Sequence, residues 1–309
     1  MAILVLSAPL ASAPFADALR RIAPDLTVWT EQDEAPPEQV EAILAWRMTD
    51  GILPRYPQLR VLCSTGAGVD KLMAVGDLPA QLPVTRMVDP LQGVQIAQYV
   101  VAQTLRFTRD LPLYAEQQWR AEWKRHRVRP AERCRVGLLG MGKVGRAIAA
   151  AFAPLGYPVA GFTRSGHDVA GVADYSGAAS LDDFLARSDI LVCAMALTAQ
   201  TQGLLNRATL ARLPRGAFVI NVGRGEHLVE ADLRALIDAG HLAGAALDVF
   251  EREPPKPDDW VWTHPKVVAT PHISGEASFD EVARQCIAAL QAVRRGEAPA
   301  NAVDRGAGY

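Results

Sequence analysis

Val136-Gly137-Leu138-Leu139-Gly140-Met141-Gly142-Lys143-Val144-Gly145 is the stretch whose reading decides the fold. Val136–Leu139 is a short apolar run bounded by glycine, the signature of a buried parallel strand, and Lys143–Leu155 has the pattern of a helix. The glycines between them have distinct work. Gly140 permits the tight turn, Gly142 lets the backbone approach a pyrophosphate, and Gly145 lets helix and strand pack closely. Together with Lys143 and Val144 they place the unpaired N–H groups of a helix N-terminus where phosphates bind. Alone, this spacing is a weak signal that a plain glycine turn also satisfies. The strand before it and the helix after it make it a dinucleotide loop.

The same alternation extends outward in both directions. Downstream, Val159–Phe162, Ile190–Ala194, Phe218–Asn221, Ala245–Asp248 and Val267–Ala269 read as strands, and Leu181–Ala186 and Val229–Ala239 as helices. Upstream, Ile3–Leu6, Thr27–Trp29, Ala42–Ala45, Arg60–Cys63 and Val84–Val88 read as strands with Pro14–Ile22 as a helix. Val94–Phe107 reads as a longer helix with Val94, Ala97, Val101 and Leu105 on one stripe. The tail, Glu276–Arg294, is another helix, read as returning to the first domain. The expected architecture is therefore α/β with two doubly wound parallel sheets. A Rossmann-type domain at 94–272 is inserted in a discontinuous flavodoxin-like domain made of 1–93 and 273–309.

Composition narrows the function. The chain has 309 residues, enough for two domains, and a formal net charge of −2, which gives no basic field for nucleic acid or anionic membrane. No run has the roughly 18 apolar residues of a membrane span. The apolar start, Met1–Leu10, lacks a basic flank and is broken by Pro9, so it reads as a first strand and not a leader. Cys63, Cys134, Cys193 and Cys286 are scattered without metal-ligand spacing and fit a reducing, cytoplasmic setting. Ser64-Thr65-Gly66 is not a nucleophile elbow, so hydrolase chemistry has no support. The basic, aromatic segment Gln117–Arg127 reads as a solvated face, and His126, His167, His227, His241 and His264 as lying in surface turns or helix ends.

Three residues carry the chemistry: Arg224 in Asn221-Val222-Gly223-Arg224-Gly225, Glu253 in Asp248-Val249-Phe250-Glu251-Arg252-Glu253, and His272 in Thr270-Pro271-His272-Ile273-Ser274. Reduction of a 2-oxo acid by a nicotinamide builds negative charge on the carbonyl oxygen. An always-charged arginine stabilises that charge and the neighbouring carboxylate. A histidine, titrating near neutral pH, supplies the proton. A glutamate beside it favours the imidazolium and fixes the ring. Singly, each residue has a structural reading: a salt bridge, a loop acid, a satisfied strand-end histidine. In order behind a phosphate loop they read as one site. The cofactor expectation is NADP(H), with NAD(H) possible. NAD sites usually carry an acid about 20 residues past the glycines, whereas here Thr163-Arg164-Ser165 follows the second strand, and Arg164 and Ser165 suit a 2′-phosphate.

In these residues, and in Leu62-Cys63-Ser64-Thr65-Gly66-Ala67-Gly68-Val69-Asp70 and Asn221–Glu230, the chain resembles the D-isomer-specific 2-hydroxyacid dehydrogenases, most of all their glyoxylate/hydroxypyruvate reductase A group. The resemblance implies that Arg224 binds substrate, Glu253 and His272 form the acid–base pair, and Ala67 and Gly68 hold the substrate carboxylate through their N–H groups. It puts Trp46 and Arg47 at the pocket edge, and Leu197, Thr198, Thr201, Val222, Gly223, Asp248 and Ser274 around the cofactor, Asp248 near the nicotinamide amide. It implies no metal, a small 2-oxo or 2-hydroxy acid as the partner, and a homodimer through the helix from Val94 and the Trp119–Trp123 arm. Two departures stand out: Ala196-Leu197-Thr198-Ala199-Gln200-Thr201 lacks both prolines usual in that loop, and Gln98 stands where an acid is common. The implied reactions are glyoxylate to glycolate and hydroxypyruvate to D-glycerate. Two alternatives stay open: a dehydrogenase for 3-phosphoglycerate or a bulkier 2-oxo acid, and a nucleotide-sensing module without turnover.

Overall fold

The computed structural model describes residues 2–305. They form two compact units, one of residues 2–92 with 276–305, the other of Gly93–Gly275.

The first unit begins β1 (Ala2–Leu6), α1 (Ala13–Ile22), β2 (Thr27–Thr30), β3 (Ala42–Ala45), β4 (Val61–Ser64), α2 (Asp70–Met73) and β5 (Val84–Thr85). Its strands are all parallel, in the order β2-β1-β3-β4-β5, which is the flavodoxin-like winding. Strand periodicity sorts the side chains onto two faces. Ile3, Val5, Ala42, Leu44, Val61 and Cys63 enter one core, while Leu4, Ile43, Ala45 and Leu62 enter the other with Leu53, Tyr56 and Leu72. Both faces are covered, which is why these strands read as unbroken apolar runs. β5 is shorter than Val84–Val88 because its continuation leaves the ladder: the Arg86 N–H donates to Asn301 O and the Met87 N–H to Gly66 O.

The second unit runs α3 (Pro90–Thr108, its first turn in the other unit), α4 (Leu111–Trp119), β6 (Val136–Leu139), α5 (Lys143–Phe152), β7 (Val159–Thr163), β8 (Ala173–Ser176), α6 (Leu181–Ala186), β9 (Ile190–Cys193), α7 (Arg207–Leu210), β10 (Ala217–Asn221), α8 (Glu230–Asp238), β11 (Leu242–Leu247) and β12 (Val267–Ala269). All seven strands are parallel, in the order β8-β7-β6-β9-β10-β11-β12. The winding reverses between β6 and β9, the switch point at which doubly wound sheets bind ligands outside their carboxyl ends. Leu139, Leu191, Cys193, Val219 and Leu247 fill one face, and Val136, Leu138, Ile190, Val192, Ile220 and Ala246 the other. Each fully buried branched aliphatic contributes roughly 1.5–3 kcal/mol.

α9 (Phe279–Arg294) closes the first unit, packing Val282, Ala283, Cys286 and Leu290 against the Phe15 and Leu19 side of α1, with Phe279 edge-on to Phe15 at 4.8 Å. On α3, Ala97 is buried and Val101 and Leu105 pack against the core as expected, beside buried Gly93, Ile96, Val100 and Thr104; Val94 is exposed. β8 has no counterpart among the expected strands, because Ala-Asp-Tyr-Ser lacks an apolar run. The four cysteines are buried free thiols.

Candidate active site

The loops that leave the carboxyl ends of β6, β9, β10, β11 and β12 assemble the site within the second unit. After β6, Gly140 takes φ +98°, a left-handed value that favours glycine, and a Cβ there would meet the Ala194 carbonyl oxygen at 2.8 Å. A Cβ on Gly145 would overlap the Gly140 carbonyl, so this glycine is required for helix–strand contact. Gly142 is different: a Cβ there would meet nothing within 4 Å. It caps α5 without a side-chain hydrogen bond, and among the described residues the Lys143, Val144 and Gly145 N–H groups find no acceptor, as a phosphate cradle needs.

After β7, the Thr163 hydroxyl accepts the Gly166 N–H at 2.8 Å and tightens the turn. Arg164 and Ser165 at its tip are exposed, and no hydrogen bond or ion pair holds the Arg164 guanidinium among the described residues. The Asp174 carboxylate, from β8, accepts the His167 N–H at 3.2 Å beyond this tip. After β9, the Thr201 hydroxyl donates to Ala196 O at 2.8 Å and accepts the Thr198 N–H at 2.8 Å. These bonds shape Ala196–Thr201 in place of the missing prolines.

After β10, the buried Asn221 amide donates to Arg224 O at 2.9 Å, and its oxygen accepts the Gly223 N–H at 3.1 Å. Arg224 Nη1 donates to Gly223 O at 3.0 Å, fixing the guanidinium over its own loop. Val222 and Gly223 are buried beneath it. A Cβ on Gly225 would overlap the Phe250 carbonyl. The glycine after the arginine thus lets this loop press against the loop that carries Glu253.

Two strand ends hold the acid–base pair. Glu253 Oε1 accepts the Phe250 N–H at 3.1 Å, and His272 Nδ1 donates to Oε2 at 3.0 Å. That bond puts the proton on Nδ1. Asp248, fully buried, accepts from the Thr270 hydroxyl at 2.6 Å, from Ile273 N–H at 2.9 Å and from Ser274 N–H at 2.8 Å. The His272 N–H donates to Asp248 O at 2.9 Å. These bonds hold His272 at φ +56°, a left-handed backbone unusual outside glycine. Tyr99 completes the chain by donating to the Thr270 hydroxyl at 2.8 Å, since that hydroxyl's own proton goes to Asp248. Burial pushes the Tyr99 phenol up to about 12, so it remains a donor.

One site residue was not expected. His227, read from sequence as a surface histidine, is fully buried and bonds to Arg224 and Ala196. The only sequence signal is its three-residue spacing from the arginine.

In the first unit, Trp46, Arg47, Ala67 and Gly68 follow the carboxyl ends of β3 and β4. Among the described residues, the N–H groups of Ala67 and Gly68 donate to nothing. Ser64 holds the loop, accepting Gly66 N–H at 3.1 Å and donating to Gly68 O at 3.3 Å. A Cβ on Gly66 would overlap the Trp46 ring, so glycine here makes room for the indole.

A family model described as "D-isomer specific 2-hydroxyacid dehydrogenase, NAD binding domain" matches residues 101–274. The chain belongs to the D-isomer specific 2-hydroxyacid dehydrogenases. Glyoxylate/hydroxypyruvate reductase A of Yersinia enterocolitica is 32% identical over 91% of this chain and 90% of its own. A D-isomer specific 2-hydroxyacid dehydrogenase from Xanthobacter autotrophicus Py2, solved with NADPH and MES, is 38% identical with a TM-score of 0.93, covering 100% of this chain and 99% of that one. An NADPH-dependent glyoxylate/hydroxypyruvate reductase from Sinorhizobium meliloti, solved with NADP and sulfate, is 32% identical with a TM-score of 0.93 over the same shares. Among the described residues of this dehydrogenase, no group of three or more His, Cys, Asp or Glu side chains is placed to hold a metal ion, and no helix is long and apolar enough to cross a membrane.

Proposed function

We propose that this dehydrogenase reduces small 2-oxo acids with NADPH, taking glyoxylate to glycolate and hydroxypyruvate to D-glycerate. The observation that carries the reading is the His272–Glu253 hydrogen bond of 3.0 Å beside an arginine loop packed on the Glu253 loop. The names of the relatives from Yersinia enterocolitica and Sinorhizobium meliloti support the same substrates.

The nicotinamide, when bound, supplies the hydride. Arg224 anchors the carboxylate and stabilises the charge that grows on the carbonyl oxygen. His272 delivers the proton from Nε2, because Glu253 holds the proton on Nδ1 and fixes the ring. Asp248 sets the backbone on which His272 stands and lies beside the nicotinamide amide. The Ala67 and Gly68 N–H groups bind the substrate carboxylate, and Trp46 and Arg47 bound the substrate side chain.

The glycine loop and the amides of α5 hold the pyrophosphate, and Gly142 leaves the space for it. Leu197, Thr198, Thr201, Val222, Gly223 and Ser274 border the cofactor. Arg164 and Ser165 take the 2′-phosphate, a reading supported by the NADPH and NADP in the two solved relatives. The enzyme works as a cytoplasmic homodimer through α3 and the Trp119–Trp123 arm, where Trp119 and Trp123 are 91% and 98% exposed; a solution mass of one chain removes that part. The test of the reaction is a panel of 2-oxo acids with NADPH and NADH, followed by nicotinamide absorbance. A chain that binds NADPH but turns over none of them is a sensor instead.

A further inference from the structure

Two loops that the reaction uses separately are tied to one buried ring. The Arg224 amide N–H donates to His227 Nδ1 at 3.1 Å, and Nε2 lies 3.2 Å from the Ala196 carbonyl oxygen. A ring nitrogen that accepts an N–H carries no proton, so the proton sits on Nε2 and is donated to Ala196. The other tautomer would donate from Nδ1 to Arg224 O, also 3.1 Å away, but it turns a lone pair toward the Ala196 carbonyl and leaves the Arg224 amide without this acceptor. Burial lowers the ring's pKa below the ordinary value; the Ala196 and Arg224 carbonyls and Glu226 act against it, and the Arg224 guanidinium acts with it.

The surroundings are built for the ring. A Cβ on Gly223 would stand 3.1 Å from Nδ1, so glycine leaves the room the imidazole fills. The backbone repeats the connection: Gly203 N–H donates to Glu226 O at 2.8 Å and Leu205 N–H to His227 O at 2.9 Å. At its other end, Ala196 O accepts the Thr201 hydroxyl that shapes the cofactor-side loop.

We propose that His227 is a positioning residue that holds the substrate-anchoring Arg224 and the Ala196–Thr201 cofactor loop in one register through its two ring nitrogens. The proposal rests on the roles given above to Arg224 and to that loop. It makes the two halves of the ring separable. An asparagine keeps a polar atom near the place of Nδ1, and a glutamine keeps one near the place of Nε2.

The experiment compares His227→Asn and His227→Gln in the full chain, with NADPH dissociation constants from fluorescence titration and KM and kcat for glyoxylate at saturating NADPH. His227→Asn keeps the hold on Arg224 and releases Ala196. Its NADPH dissociation constant rises about 2- to 12-fold, the range of one hydrogen bond, while the KM for glyoxylate stays near wild type. His227→Gln shows the opposite split. Wild-type values in both variants, or equal losses of both parameters in both, overturn the proposal and leave His227 a packing residue. A wild type without turnover of any 2-oxo acid removes the reaction instead, and the NADPH titration of His227→Asn still decides the Ala196 half.

Discussion

The loops after β11 and β12 and the loop after β7 border the same end of one sheet, yet they are held very differently. His272 is fixed by its ring bond to Glu253, by its own N–H to Asp248 O and by three bonds to the Asp248 carboxylate from its neighbours. At the tip of the β7 loop, Arg164 and Ser165 are exposed, and the turn is tied through the Gly166 and His167 N–H groups, by Thr163 and Asp174, and not through the tip side chains. A reacting geometry must be held within fractions of an ångström, whereas a phosphate contact tolerates a long side chain ordered by its ligand. Chemistry is built into the rigid edge and cofactor preference into the loose one.

The strongest way to break that contrast is to remove the proton donor. His272→Ala should lower the reduction rate by about 10²–10⁴ and leave the NADPH dissociation constant within about twofold; near-native turnover would show that the tightly held edge is only structural. Arg224→Lys keeps the charge and loses the planar fork. Its kcat/KM for glyoxylate should fall about 10²- to 10³-fold, the scale of a lost transition-state donor, and steady-state rates at wild-type level would make the cation a structural one.

On the loose edge the effect should be smaller and selective. Arg164→Ala loses a charge-assisted contact of roughly 1.5–3 kcal/mol, so NADPH should bind about 10- to 150-fold more weakly and NADH almost unchanged. Equal losses for the two cofactors, read by titration, would place Arg164 outside the 2′-phosphate site.

The smallest expected effect is on stability. His227 has a folded pKa lowered by burial, so the unfolded chain binds its proton first. The sign follows: stability from this group is complete above about pH 6.5 and falls as the pH drops through 6.5 toward the folded pKa. Urea midpoints from pH 8 to pH 5 should fall in the wild type and fall less in His227→Gln. Parallel curves would mean that the buried ring titrates as it does in the unfolded chain.

The same contrast governs what the sequence revealed. Buried parallel strands such as Val136–Leu139 and Ala42–Ala45 announce themselves, because both faces demand apolar side chains. β8 is nearly all exposed and carries no such demand. The core-facing side of α3 was legible in Ala97, Val101 and Leu105, whereas Val94, at the margin of that face, is exposed. Arg224, Glu253 and His272 were legible because chemistry fixes their types and order. The left-handed backbone of His272 and the burial of His227 were not. Both depend on partners distant in sequence, Asp248 in one case and Ala196 in the other.

The sheet margins have a consequence for solution behaviour. The outermost strands of the two sheets are β2, β5, β8 and β12, and none exceeds four residues. Asp174 stands within β8, a charge where an incoming strand would pair. Long, flat, apolar margins recruit strands from other molecules and lead to aggregates; short or charged ones do not. This chain therefore offers little template for edge-to-edge growth, and a partly opened molecule meeting another is more prone to stick through exposed core than to extend a ribbon.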